Sequence, residues 1–139
     1  MVLLEKIILL NNIPLFSLLK TEDIYMVASI ASEEVYGKDD VLFYQGDLGD
    51  KLYIVVSGEV QVIKQINGVE TQVATIKENE VLGELSLFDA ETRTATVRCN
   101  SSCHFLVIER NQMEQLVYEY PAIAFGFIKV LISRMRNQN

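Results

Sequence analysis

From residue 33 to residue 109 the chain is cut into short apolar or β-branched runs by turn residues, and this punctuation limits the fold more than any other feature. The runs fall at 33–36, 41–44, 51–56, 59–65, 71–76, 94–99 and 103–108. Each is too short for an ordinary helix and has the length and residue types of a strand. Gly37-Lys38-Asp39-Asp40, Gly46-Asp47-Leu48-Gly49-Asp50 and Ser57-Gly58 supply turns between them. Asn67-Gly68 is the sharpest signal, because both residues tolerate the positive φ of a type I′ hairpin. About seven or eight short strands at this spacing build a sandwich or a barrel.

Helical spacing brackets this region. Leu3, Leu4, Ile7, Ile8 and Leu10 predict a helix over 3–11, ended by Ile13-Pro14. Thr21-Glu22-Asp23 has N-cap chemistry and opens a second helix to about Ala31, with Ile24, Val27, Ala28 and Ile30 on its inner face. After the strands, Asn111 caps a helix with an acidic first turn. Tyr120-Pro121 interrupts it, and a last helix covers 122–136 with an apolar stripe of Phe125, Ile128, Leu131, Ile132 and Met135. The expected class is mainly β with flanking α, a β jelly-roll barrel with helices at both ends.

Length and charge narrow the function. The chain of 139 residues fits one domain, and its 50% hydrophobic content can bury a real core. A net charge of −7 argues against direct nucleic-acid binding, which needs a basic patch. It also means that any anion site must be locally positive. The first apolar run, 2–19, is broken by Glu5, Lys6, Asn11, Asn12 and Pro14; the last, 122–133, is too short for a bilayer and holds Lys129. The expectation is a soluble cytoplasmic chain without membrane insertion. Cys99 and Cys103 flank Asn100-Ser101-Ser102 and imply no disulfide framework. Together with His104 they make a weak zinc set lacking a fourth ligand, so buried structural cysteines and no metal are expected. His104 is also the sole histidine. That is too few for a metal-dependent jelly-roll enzyme, and no motif surrounds it as a base for a serine or cysteine nucleophile. The chain reads as a binding module and not an enzyme.

The chemistry concentrates in residues 81–97, Val-Leu-Gly-Glu-Leu-Ser-Leu-Phe-Asp-Ala-Glu-Thr-Arg-Thr-Ala-Thr-Val. Gly83 removes a side chain where a ligand approaches the backbone. Residues 85–88 can form one helical turn whose leading N–H groups face an anion. Arg93 brings a planar fork of donors suited to phosphate. Glu84 repels phosphate but accepts hydrogen bonds from a sugar hydroxyl. The combination suits a phosphorylated sugar.

Gly83-Glu84-Leu85-Ser86-Leu87 followed by Arg93-Thr94-Ala95-Thr96-Val97 resembles the phosphate-binding cassette of cyclic-nucleotide-binding domains, the modules of cyclic-nucleotide-dependent kinases, gated channels and catabolite-activator-like proteins. Gly46-Asp47-x-Gly49-Asp50-x-x-Tyr53-Ile54-x-x-Ser57-Gly58 resembles the same family, where these glycines shape barrel corners. Leu82 stands where phenylalanine is usual and Thr92 where proline is frequent. The resemblance implies one domain over 1–139, with a helical segment 1–32, a jelly roll 33–109 carrying the cassette 81–97, and helices over 110–139. It implies that Glu84 meets the ribose 2′-hydroxyl and that Arg93 and the cassette amides hold the cyclic phosphate. Leu82, Gly83, Leu85, Ser86, Thr94 and Ala95 stand around them. The ligand would be cyclic AMP or cyclic GMP; Thr94 permits cyclic GMP, and cyclic AMP is favoured as the commoner ligand. In channel-type members the last helix folds over the ligand as a lid and a late arginine touches the base, a role that falls on Arg134. The resemblance leaves open a ligand-free interaction domain of the same fold, a sensor belonging to a larger transcription regulator, channel or transporter, a fused or partner effector, and a homodimer through the last helix.

Overall fold

The computed structural model describes residues 1–138. They form two compact units, one of Ser32–Arg110 and one of Met1–Ala31 with the segment from Asn111 onward.

The first unit is all β apart from one short turn of helix. Its strands are β1 (Ser32–Tyr36), β2 (Val41–Phe43), β3 (Leu48–Gly49), β4 (Lys51–Ser57), β5 (Val60–Ile66), β6 (Val69–Ile76), β7 (Val81–Leu82), β8 (Glu91–Thr92), β9 (Thr96–Cys99) and β10 (Cys103–Glu109). One sheet has the order β1-β10-β4-β7, the second β2-β9-β5-β6, and β3 pairs with β8 in a two-stranded ribbon. All pairings are antiparallel. The β core is jelly-roll-like, but its sheets do not close into the barrel that strand spacing suggested.

Alternation along the strands explains the core. Tyr53 and Val55 of β4, Phe105 and Val107 of β10, and Val60 and Val97 of the second sheet pack into one apolar cluster. Phe105 is fully buried and meets Tyr36 and Tyr53 edge-on at 5.6 and 5.7 Å, the arrangement favoured by ring quadrupoles. Leu52, Ile54, Leu106 and Ile108 on the other face are buried too, which is why β4 and β10 read as nearly continuous apolar runs. The β5–β6 hairpin turns at Asn67 and Gly68 with φ of 53° and 78°, as the Asn-Gly pair predicts. Cys99 and Cys103 are buried free thiols, and burial pushes the Cys99 thiol above its usual range. Among the described residues no metal-ligating group of three or more side chains comes together.

Three two-residue strands escaped the sequence reading. β3 lies in what reads as a glycine turn, β8 in a polar loop, and β7 immediately before Gly83. Each exists because of a distant partner: Leu82 lies opposite Tyr53, and Glu91 opposite Gly49. Segments this short have no periodicity to read.

The second unit contains α1 (Leu3–Asn11), α2 (Thr21–Ile30), α3 (Arg110–Glu119, which begins on the last residue of the β unit) and α4 (Ala122–Asn137), with a 3₁₀ turn at Pro14–Phe16. Glu5 accepts the Val2 N–H at 2.9 Å and so caps α1. Thr21 is not the cap of α2: Lys20 occupies that position, without a side-chain cap bond. Phe16 meets Phe127 edge-on at 5.7 Å, and Gly126 lets Leu19 close against α4. The buried side of α4 is Ile123, Phe127 and Val130. The stripe expected from the sequence, Phe125, Ile128, Leu131, Ile132 and Met135, is instead an exposed second apolar face. No single helix among the described residues is long and apolar enough to cross a membrane.

Candidate functional site

Gly83 follows β7 and opens a 3₁₀ turn, Glu84–Leu87. Its φ of 75° and ψ of 30° put it in the left-handed region, where a side chain is costly. The turn closes with Ser86 N–H donating to the Gly83 carbonyl at 3.0 Å. The amides of residues 84 and 85 precede this first internal bond. Leu87 is fully buried and anchors the turn, whereas Leu85 is exposed.

Arg93 comes back to the turn from the ribbon. Its backbone is locked on both sides, with Arg93 N–H donating to the Asp47 carbonyl at 2.7 Å and Gly46 N–H donating to the Arg93 carbonyl at 2.8 Å. The Gly46-Asp47 corner therefore sets where this arginine leaves the chain. The side chain runs inward and is only 8% exposed. Nη1 donates to Ser86 Oγ and Nη2 to the Lys51 carbonyl, each at 3.0 Å. Cζ lies 4.1 Å from the centroid of the Phe43 ring, a cation–π contact. Burial pulls the Arg93 pKa down, while Tyr53, Asp50 and Asp47 work against that shift. Arginine starts so high that it stays cationic at neutral pH.

A cleft of about 250 Å³ opens beside this arginine. Leu82, Gly83, Glu84, Leu85, Ser86, Arg93, Thr94 and Ala95, all singled out in the sequence, line it together. Arg134 lies on α4 in the other unit and is half-buried. The cleft also has members outside the ligand set named from the sequence, and Glu91, Thr92 and Val97 among them belong to the cassette stretch 81–97. Phe43, Val62 and Val97 form its apolar wall, and Glu91 and Thr92 are further lining residues. Phe43 and Val62 looked like ordinary strand residues, and only the pairing of β2 and β5 with β9 brings them against the cassette residue Val97. Arg110 was missed as well. Its Nη1 donates to the Gly49 carbonyl at 2.8 Å and lies 3.4 Å from the carbonyls of Ser86 and Asp89, while its backbone N–H donates to the Asp50 carbonyl at 2.8 Å. An arginine at a strand-to-helix junction carries no sequence signal for such a clasp.

An apolar wall, a buried cation and a carboxylate at the turn can receive a molecule with a flat apolar part, an anion and hydroxyls. The sequence profile of the cyclic nucleotide-binding domain family matches residues 33–120, more than half of the chain. The chain is 32% identical over 124 residues to the cyclic AMP receptor protein of Thermus thermophilus, covering 88% of this chain and 57% of that relative. It thus spans little more than half of that protein. Among solved structures it resembles the N-terminal domain of a transcriptional regulator from Streptomyces coelicolor, with a TM-score of 0.86, 31% identity and coverage of 94% and 92%. It also resembles the regulatory domain of Toxoplasma gondii PKA crystallised with cAMP, with a TM-score of 0.76, 30% identity and coverage of 82% and 44%. On the family match, the shared fold and the cassette in its cleft, this chain belongs to the cyclic nucleotide-binding domain family.

Proposed function

We propose that the cleft binds a cyclic nucleotide, cyclic AMP in preference to cyclic GMP, and that the domain is a regulatory sensor and not a catalyst. The observation that carries the reading is the Arg93 guanidinium, buried at the cleft beside the amide-bearing turn. Two of its five N–H donors are used by Ser86 and Lys51, and the rest of the fork suits a cyclic phosphate. Glu84 accepts from the ribose 2′-hydroxyl, and Phe43, Val62 and Val97 offer the base an apolar surface. Thr94, exposed at the cleft, can donate to a phosphate oxygen and accept from the amino group of guanine. Titration calorimetry with cyclic AMP and cyclic GMP tests the reading. Saturable heat with both, tighter for cyclic AMP, is expected. No heat with either would leave a ligand-free interaction domain. Glu84→Gln should weaken cyclic AMP but change almost nothing for its 2′-deoxy analogue; equal losses would remove Glu84 from the ribose.

The exposed apolar face of α4 supports a second element of the reading. In the liganded state this helix closes as a lid, and Arg134 reaches the base. Ligand drives such a closure only by its differential affinity for the closed form. Amide hydrogen exchange over residues 122–136 should slow when cyclic AMP is added, and equal protection in both states would leave α4 a packing helix only. The same face could pair with a second copy, and sedimentation with and without nucleotide separates the two uses. Effector domains, fused or separate, would read the change.

A further inference from the structure

We infer that Ser86 and Gly49 are positioning residues that seat the guanidinium of Arg93, and that affinity for the cyclic phosphate depends on this seat; for its ligand the inference rests on the cyclic-nucleotide reading. Ser86 is 3% exposed, and its Oγ accepts from Arg93 Nη1 at 3.0 Å in a buried bond. A Cβ at Gly49 would run into that same Oγ and would lie 2.8 Å from both Cζ and Nε of Arg93. The hydroxyl therefore faces the arginine and the Gly49 backbone, although the residue itself borders the cleft. Phe43 closes the seat on one side and the Lys51 carbonyl holds Nη2 on another. Arg110 donates to the carbonyls of Gly49 and Ser86, so one side chain ties the backbone of both seat residues. A long side chain already held in one orientation loses less freedom when an anion arrives. Ser86 thus raises affinity without touching the ligand, and Gly49 keeps open the space that the guanidinium fills.

A double-mutant cycle in the whole chain tests this, read by calorimetry with cyclic AMP and by ¹H–¹⁵N NMR of the Arg93 side chain without ligand. Ser86→Ala should weaken cyclic AMP about three- to tenfold, less than the loss of a charge-assisted hydrogen bond to the ligand itself, because the Lys51 carbonyl and the Phe43 ring still hold the guanidinium. It should cost nothing further when Arg93 is already alanine. Gly49→Ala should weaken binding at least as much as loss of Arg93. In the wild type the Nη protons should be resolved by hindered rotation, and in Ser86→Ala they should coalesce. Unchanged affinity in Ser86→Ala, or the same loss with and without Arg93, would overturn the inference. If the wild type binds neither nucleotide, the functional reading fails by itself. The guanidinium spectrum then decides the seat: coalescence in Ser86→Ala upholds it, and identical spectra sink it.

Discussion

Arg93→Ala should weaken cyclic AMP binding by roughly ten- to hundredfold. A hydrogen bond to a charged group contributes about 1.5–3 kcal/mol, which is one to two decades in the dissociation constant. The variant should also melt a few degrees lower. The sequence marks Arg93 only as a ligand residue, yet its side chain is 8% exposed, packs on Phe43 and donates to Ser86 Oγ and the Lys51 carbonyl. Removing it takes one hydrogen bond from each of those groups and opens a void. Arg93→Lys should keep the charge and still lose much of the affinity, because one ammonium cannot reproduce the fork that spans Ser86 and Lys51. Calorimetry and thermal melting on the same samples separate the two effects. Wild-type affinity in the alanine variant would remove Arg93 from the phosphate site.

Gly83→Ala is expected to be at least as damaging to binding, by a different route. The left-handed backbone alone costs an L-residue about 1–2 kcal/mol. The added Cβ would also collide with Arg93 Nη1 and come within 2.6 Å of the Lys51 carbonyl oxygen. That oxygen belongs to β4, which is paired on both sides by β10 and β7 and cannot give way cheaply. The guanidinium must therefore leave its position, and the turn that starts at Gly83 must distort. Binding should fall about a hundredfold or more, and the melting temperature should drop further than in Arg93→Ala. A variant that melted and bound like the wild type would show that neither the positive φ nor the close approach matters.

Local patterns carried much of the architecture. The apolar runs of β4 and β10, the Asn67-Gly68 hairpin and the spans of α1 and α4 were legible because each is encoded by neighbours along the chain. The cassette was legible for a related reason: a glycine, a carboxylate and an arginine at fixed spacing form a chemical set within one short stretch. Other features depend on contacts between residues far apart in sequence, and no window of sequence contains them. Gly49 reads as a turn glycine, yet its missing side chain is the space occupied by Arg93, 44 residues later by their numbers (93 − 49). Ser86 reads as a cassette residue facing ligand, and the fold turns its hydroxyl onto the arginine. Phe43, Val62 and Val97 became a cleft wall only when β9 aligned with β2 and β5. On α4 the sequence shows that apolar residues recur, but two faces of that helix are apolar. Only tertiary packing decided that Ile123, Phe127 and Val130 are buried while Phe125 and Met135 stay exposed. The sequence by itself thus determined which groups could meet an anion and roughly where strands and helices lie, since both follow from local composition and spacing. The orientation of Arg93, the residues that hold it and the wall of its cleft were decided by long-range strand pairing, which turns separate short segments into one site.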